Sequence, residues 1–146
     1  FTLDDLPAVV AYDARQFGVD RAHILGALLA GHPEACIVAE RDGAICGYVM
    51  GRPGARAWHL GPLAAGDGQT ADALVWTSLR AATTPTGTPP AAELLMDVVM
   101  PNVAAVRLAE RLGLTMVRPF IRMTRGAPPP AIDLARVYTS AGPELG

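Results

Sequence analysis

The chain has 146 residues, of which 51% are hydrophobic, and 12 basic against 14 acidic residues give a formal net charge of −2. This length suits one globular domain with its own core, and the composition excludes a disordered chain. The near balance of charge excludes a broad cationic surface for nucleic acid or membranes, and no apolar run approaches the roughly 20 residues of a membrane span.

Two helices are predicted at the beginning of the sequence. Residues 1–18 carry an apolar stripe at helical spacing, with Asp5 among the possible N-caps and Gly18 at the end. Asp20 is expected to cap a second amphipathic helix, which closes near residues 31–33 at a Gly-His-Pro sequence.

A β-hairpin follows the helix pair. Asp42-Gly43 is a strong signal for a two-residue turn, and it predicts strands over residues 35–40 and 44–52. A third strand is predicted over residues 57–63, after a turn at Pro53-Gly54.

The two cysteines lie on either side of this hairpin turn. In the strand register that this turn predicts, Ala39 pairs with Cys46 and Cys36 lies opposite Val49. The two thiols then point to opposite faces of the sheet, so we expect free thiols in a reducing cytoplasm and no disulfide.

The stretch most informative about function is a strand, a glycine turn and a helix over residues 58–80. The turn is Gly66-Asp67-Gly68, and apolar residues at helical spacing follow it from Ala71 onward. A helix that begins behind a glycine turn presents backbone N–H groups at the positive end of its dipole, where a phosphate or pyrophosphate can bind. The alternative is a turn whose glycines serve only to reverse the chain.

The second half of the chain repeats the strand and helix pattern. Residues 83–90 are a loop by composition, and residues 93–98 are predicted to form a short apolar strand interrupted by Asp97. Asn102 is expected to begin a further amphipathic helix that ends at Gly113.

The last part of the chain is predicted to return to strands. Residues 115–124 indicate a strand or strand pair, and the tail after a proline-rich break is expected to add one more short strand. The order α-α-β-β-β-α-β-α-β predicts a mixed α/β (α+β) fold with a largely antiparallel central sheet and helices on both faces. We assign residues 1–126 to one domain and residues 127–146 to the break and C-terminal tail of that domain.

Two local motifs in this order resemble the GNAT superfamily of N-acetyltransferases. Residues 65–70 (AGDGQT) are similar to the family loop Q/R-x-x-G-x-G/A, whose backbone amides hold the pyrophosphate of acetyl-coenzyme A. The second motif, N-x-x-A-x-x-L-Y-x-x-x-G-F, is matched in spacing from Asn102 to Leu114, with Ala109 at the tyrosine position.

A narrower similarity is to the second half of tandem-GNAT proteins. It is carried by FGVDR, LGPLAA, DVVMPN and FIRMTRG, and by the GPELG tail. The absence of a starting Met and of the family's first strand agrees with a second domain, or a piece of one. An upstream GNAT domain or a second copy of the chain is therefore an expected partner, and the C-terminal strand edge is an expected pairing site.

The resemblance implies an enzyme that transfers acetyl from acetyl-coenzyme A to a primary amine of a small molecule. The family separates two central strands, so that the acetyl group lies between them and a backbone N–H of the first serves the oxyanion. The implied coenzyme contacts are Leu60, Gly61, Leu63, Gly66, Gly68, Gln69, Thr70, Ala71 and Asn102. Asp67 is electrostatically unfavourable beside a pyrophosphate unless its carboxylate points away.

Asp97 and His59 are the candidate catalytic residues. A carboxylate in an apolar strand is costly unless it is paired or functional, and histidine titrates near neutral pH. The alternative for His59 is a structural or surface role. Because Ala109 replaces the family's tyrosine, the proton donor to the thiolate must lie elsewhere, be water, or be absent.

Four residues are implied on the acceptor side, with packing or surface charge as the alternative for each: Asp13, Arg21, Tyr48 and Arg52. No cysteine and histidine cluster indicates a metal site. The alternative function is a non-catalytic GNAT-like module that packs on a catalytic domain or partner subunit. The departures at the loop and at Ala109 favour that alternative.

Overall fold

The structure is a computed structural model that describes residues 1–81, 93–121, 123, 125–127, 131, 133–143 and 145. The described helices are α1 (Leu6–Phe17), α2 (Ala22–Gly31), α3 (Gly68–Ala81) and α4 (Val103–Arg111), with a short 3-10 turn at Pro33–Ala35. The described strands are β1 (Ile37–Arg41), β2 (Ala44–Pro53), β3 (Trp58–Ala65), β4 (Leu94–Leu95) and β5 (Val137–Thr139).

The strands form one sheet in the order β1-β2-β3-β4, and β5 pairs with β3 as well. The β1–β2, β2–β3 and β3–β5 pairs are antiparallel, and β3–β4 is parallel. Apolar residues of α1 and α2 pack with one face of the sheet, and those of α3 and α4 pack with the other. The predicted fold class, a mixed and largely antiparallel sheet with helices on both faces, is confirmed.

The Asp42-Gly43 turn forms as predicted. Both residues have positive φ, 54° at Asp42 and 74° at Gly43, as the two-residue hairpin turn requires. Arg41 and Ala44 close the ladder on either side of the turn.

The predicted register beyond this turn is wrong by one residue. Ala39 pairs with Gly47 and not with Cys46, because a bulge lies between Ala39 and Glu40. Ile37, and not Cys36, therefore lies opposite Val49. Both cysteines are nevertheless free thiols, as expected.

The helix ends show which side chains act as caps. Helix α1 begins at Leu6 and not at residue 1, because Asp5 accepts hydrogen bonds from the backbone and hydroxyl of Thr2, at 2.7 and 2.9 Å, and so stabilises the preceding turn. Gly18 ends α1 with φ 85°, as predicted. Arg21, and not Asp20, is the N-cap residue of α2, but Asp20 Oδ1 accepts from the first-turn amide of Ala22 at 2.7 Å.

The C-terminal half departs most from the prediction. The predicted strand over residues 93–98 is reduced to Leu94–Leu95 and an isolated bridge between Val98 and Thr139. The described part of the predicted 115–124 strand has no strand partner, and its large apolar side chains are exposed: Met116, Val117, Phe120, Ile121 and Met123. The last strand comes instead from the tail, where one short strand was predicted. The 83–90 loop lies outside the described residues.

Residues 133–140, named here the C-terminal strap, lie between β3 and the segment that follows β4. Asn102 Nδ2 donates to Val137 O at 3.0 Å and to Ala135 O at 3.3 Å, and the Tyr138 ring is buried between the sheet and the α3–α4 layer. Besides the β3–β5 ladder, backbone hydrogen bonds connect the strap to both neighbours: Ala65 N to Arg136 O at 2.9 Å, Val99 N to Tyr138 O at 2.9 Å, and Ser140 N to Asp97 O at 3.0 Å.

Replacing Gly61 should reveal how closely the strap approaches β3. A Cβ at Gly61 would overlap the carbonyl oxygen of Ser140 and would lie 3.0 Å from the Thr139 hydroxyl. We expect Gly61→Ala to lower the free energy of unfolding by about 1–3 kcal/mol, the usual cost of overpacking, as measured by urea denaturation.

Gly113→Ala is the matched control, because Gly113 also has a positive φ, at 74°, and nothing lies within 4 Å of its added methyl group. Equal stability of the two variants would contradict the close approach.

Candidate functional site

The glycine turn leads into α3 as the sequence predicts, and the side chain of Asp67 in this turn binds a backbone amide at the start of the helix. Gly66 N donates to Cys46 O at 2.8 Å, and α3 begins at Gly68. Asp67 Oδ1 accepts from the Thr70 amide at 2.8 Å, so this carboxylate satisfies one of the first-turn N–H groups that a phosphate would use. The hydrogen bonds from the Thr70 backbone and hydroxyl lower the pKa of Asp67.

Arg41 supplies the cation that the loop sequence itself lacks. Its guanidinium lies 3.2 Å from Asp67 Oδ2 and donates to the Thr70 hydroxyl at 3.3 Å. Sequence reasoning missed this residue, although a signal was present. Arg41 directly precedes the hairpin turn, and the antiparallel β2–β3 pair returns that turn to the C-terminal end of β3.

Arg41, Gln69 and Thr70 also line a shallow surface pocket, together with residues of β1 and β2. Its volume of about 240 Å³ is below the range of about 300–1,000 Å³ that is usual for ligand pockets. The pocket has room for a phosphate group but not for a whole coenzyme.

The remaining predicted coenzyme contacts are mostly core residues. Leu60, Leu63 and Ala71 are fully buried, so only their backbones could meet a ligand. The β3 edge at Leu63 and Ala64 is already paired with β5.

Asn102 uses its side chain within the protein. Its Oδ1 accepts from the Ala105 amide at 3.1 Å and so caps α4, while its Nδ2 holds the strap carbonyls described above. In this arrangement, Asn102 joins α4 to the strap.

The structure brings the two predicted catalytic residues together. His59 Nε2 lies 3.1 Å from Asp97 Oδ2, and the two side chains are only 13% and 17% exposed. The pair is at ion-pair distance without hydrogen-bond geometry, and His59 Nδ1 is buried without a partner in the described part of the chain. Arg52 lies directly opposite His59 in the ladder and donates to Gly61 O at 3.4 Å.

The other predicted acceptor residues form a buried cluster that joins α1, α2 and β2. Arg21 donates to both carboxylate oxygens of Asp13, at 2.9 and 2.7 Å, and its guanidinium lies 3.6 Å from the Phe17 ring centroid. The Tyr48 hydroxyl donates to Asp13 Oδ1 at 2.6 Å. Asp13, Arg21 and Tyr48 are at most 4% exposed, so in this structure they bind one another rather than facing an acceptor.

Burial determines the protonation of this cluster. It raises the pKa of Tyr48 well above its ordinary value, and the neighbouring Asp13 carboxylate raises it further. For Arg21, burial lowers the pKa, but the hydrogen bonds and charge of Asp13 outweigh it and the net pKa is raised. The hydroxyl therefore stays neutral and the guanidinium stays charged.

Residues 9–139 match the family model described as an acetyltransferase (GNAT) domain. The chain belongs to the GNAT acetyltransferase family. This match confirms the resemblance stated from the two motifs and supports acetyl transfer in general. No curated protein matches the chain. In the part of the chain that the structure describes, no helix of this GNAT domain is long and apolar enough to cross a membrane.

Removing the Tyr48 hydroxyl should measure the strength of the buried cluster. Tyr48→Phe leaves Asp13 with one hydrogen bond fewer in a fully buried position. We expect the free energy of unfolding to fall by about 1.5–3 kcal/mol, the usual range for hydrogen bonds to charged groups, in urea denaturation.

Tyr138→Phe is the matched control, because the Tyr138 ring is also buried and its hydroxyl has no hydrogen-bond partner among the described residues. The free energy of unfolding of Tyr138→Phe should differ from that of the unchanged chain by no more than about 0.5 kcal/mol. Equal losses in the two variants would show that the Tyr48–Asp13 bond adds nothing.

Proposed function

We propose that this GNAT domain transfers an acetyl group from acetyl-coenzyme A to a primary amine of a small molecule. The observation that carries the proposal is the His59–Asp97 pair, which lies beside the β3 segment where the resemblance places the acetyl group. Family membership supports the acetyl-transfer part of this proposal.

The His59–Asp97 pair is suited to accept a proton from the amine. An alkylammonium ion has an ordinary pKa of about 10.4, so it must lose a proton before it can act as a nucleophile. With the Asp97 carboxylate facing Nε2, a proton on that nitrogen leaves Nδ1 of His59 as the basic atom.

The two ends of the proposed coenzyme site differ in how well they fit. At the glycine turn, the first-turn amides of α3, the Thr70 hydroxyl and the Arg41 guanidinium suit a diphosphate once Asp67 gives way. Further along β3, the C-terminal strap lies on the strand edge where the resemblance implies the coenzyme arm. The described arrangement therefore fits the diphosphate but not the whole coenzyme.

We place this activity in the cytoplasm and expect an upstream GNAT domain or a second copy of the chain as a partner. Both cysteines are free thiols, which is typical of a reducing compartment. The exposed apolar residues between Met116 and Met123 give a partner a surface to cover.

A second candidate is the non-catalytic module that packs on a catalytic domain. The strap between β3 and residues 97–99 favours it, and so does the Asp67 carboxylate on the Thr70 amide. The two candidates differ in whether this domain binds acetyl-coenzyme A.

Calorimetric titration with acetyl-coenzyme A tests the coenzyme site. We expect saturable binding that weakens at least tenfold in Gly68→Asp, because the new carboxylate faces the diphosphate at the start of α3. Space is available for the side chain, since the nearest atom to a Cβ at Gly68 is the Tyr138 hydroxyl at 4.0 Å.

Gly68→Asn has the same shape without the charge and should weaken binding much less. The absence of binding at millimolar acetyl-coenzyme A, both by the unchanged chain and by a variant whose C-terminal strap is loosened, would contradict the enzyme proposal and leave the packing module.

Acetylation of a panel of small amines tests the catalytic pair. We expect Asp97→Asn and His59→Gln each to lower kcat by about 10²-fold, the lower end of the usual contribution of a general base. Affinity for acetyl-coenzyme A should be unchanged, because neither side chain lies at the glycine turn. A parallel loss of coenzyme affinity, or an unchanged kcat, would exclude the pair from the proton transfer.

A further inference from the structure

We propose that the C-terminal strap and the arm of acetyl-coenzyme A compete for one edge of β3, so that the coenzyme binds only when the strap has left. The inference rests on the proposed function, and it starts from the poor fit of the whole coenzyme in the described arrangement.

The competition follows from the covalent structure of the coenzyme. Its diphosphate and its thioester are the two ends of one chain. With the diphosphate at the glycine turn and the acetyl group between β3 and residues 97–99, the arm must run along β3 from Gly66 toward Gly61. Strap residues 136–139 lie along that same edge, with Val137 opposite Ala64 and Thr139 opposite Leu63.

The strap leaves no space beside β3 for a second chain. The Ser140 carbonyl is so close to Gly61 that even a methyl group there would overlap it. The strap also binds residues 97–99, which lie on its side away from β3. There, Val99 N donates to Tyr138 O at 2.9 Å and Ser140 N donates to Asp97 O at 3.0 Å. The strap and the coenzyme arm therefore exclude each other.

The inner end of the strap closes at an energetic cost. The Thr139 hydroxyl is buried without a hydrogen-bond partner in the described part of the chain, and so is His59 Nδ1. Buried polar atoms without partners lose the hydrogen bonds that water gave them. Opening the strap returns the Thr139 hydroxyl to solvent and breaks the backbone hydrogen bond between Ser140 and Asp97.

The C-terminal end of the strap can absorb such a movement. Gly142 follows its C-terminal end with φ 147°. Glycine accepts positive φ without strain, and hinge residues are often of this kind.

The first experiment locks the strap to β3 by a reversible disulfide. Ala64→Cys and Val137→Cys are introduced together, because these cross-strand partners are within the usual reach of a disulfide. Cys36→Ser and Cys46→Ser remove the native thiols. We expect the reduced protein to bind acetyl-coenzyme A in calorimetry and the oxidised protein to bind it at least tenfold more weakly.

The second experiment loosens the strap. Asn102→Asp keeps an oxygen acceptor for the cap of α4, but it loses the amide donors to Ala135 O and Val137 O. We expect it to bind acetyl-coenzyme A three- to tenfold more tightly than the unchanged chain. A lower affinity would indicate that Asn102 contacts the coenzyme, and it would count against the competition.

Hydrogen exchange in the unchanged chain gives a third readout that needs no variant. Acetyl-coenzyme A should speed the exchange of the Val99 and Ser140 amides, which donate across the strap. The Trp58 amide, which donates to Glu93 O at 2.8 Å, is the control and should not change.

The outcomes separate this inference from the proposed function. Equal affinity in the oxidised and reduced proteins, with the Val99 and Ser140 amides still protected, would keep the coenzyme site and overturn the competition. An absence of binding in every form, the loosened Asn102→Asp chain included, would overturn the proposed function and the competition with it.

Discussion

The central strand β3 needs hydrogen-bond partners on both of its edges, and the rest of the structure depends on how they are supplied. All six residues from Leu60 to Ala65 are buried, so backbone groups left unpaired there would be costly. β2 covers one edge along most of its length, but β4 covers the other only opposite Trp58 and His59. The strap supplies the partners that β4 does not provide, which explains why a tail segment lies inside the sheet.

The two faces of the sheet differ in how firmly they are held. On the α1–α2 side, the Asp13–Arg21 ion pair and the Tyr48 hydroxyl are buried together, and removing one partner of a buried ion pair is strongly destabilising. The strap is held mainly by backbone hydrogen bonds, by Asn102 and by one aromatic ring. We therefore regard the helix pair as the fixed frame of the site and the strap as its movable part.

Sequence reasoning succeeded where a few neighbouring residues decide the structure. The Asp42-Gly43 turn and the Gly18 helix end each depend on backbone conformations that these residues favour locally. It failed where distant segments compete. The bulge after Ala39 and the replacement of the predicted 115–124 strand by β5 both depend on which segments find a partner in the sheet.

The same division holds for the candidate site. His59 and Asp97 were each singled out for their chemistry, but only the parallel β3–β4 register brings them within 3.1 Å. Arg41 was missed because its role at the glycine turn depends on the path of two strands. Arg21 was expected to face an acceptor because the family resemblance implied it, and sequence periodicity does not show its pairing with Asp13 of α1.

Both ends of the proposed coenzyme site are occupied by groups of the chain itself. This occupation determines how a measured affinity for acetyl-coenzyme A should be interpreted. Asp67 takes the Thr70 amide and pairs with Arg41, and the strap takes the β3 edge. A phosphate that displaces Asp67 gains Arg41 as its counter-ion, so the exchange at the turn conserves the pairing of charges. At the strap, the apparent affinity is the intrinsic affinity reduced by the fraction of open molecules, about 1.4 kcal/mol for each tenfold reduction. The affinity measured for this chain therefore combines the open fraction of the strap with the intrinsic affinity of the glycine turn.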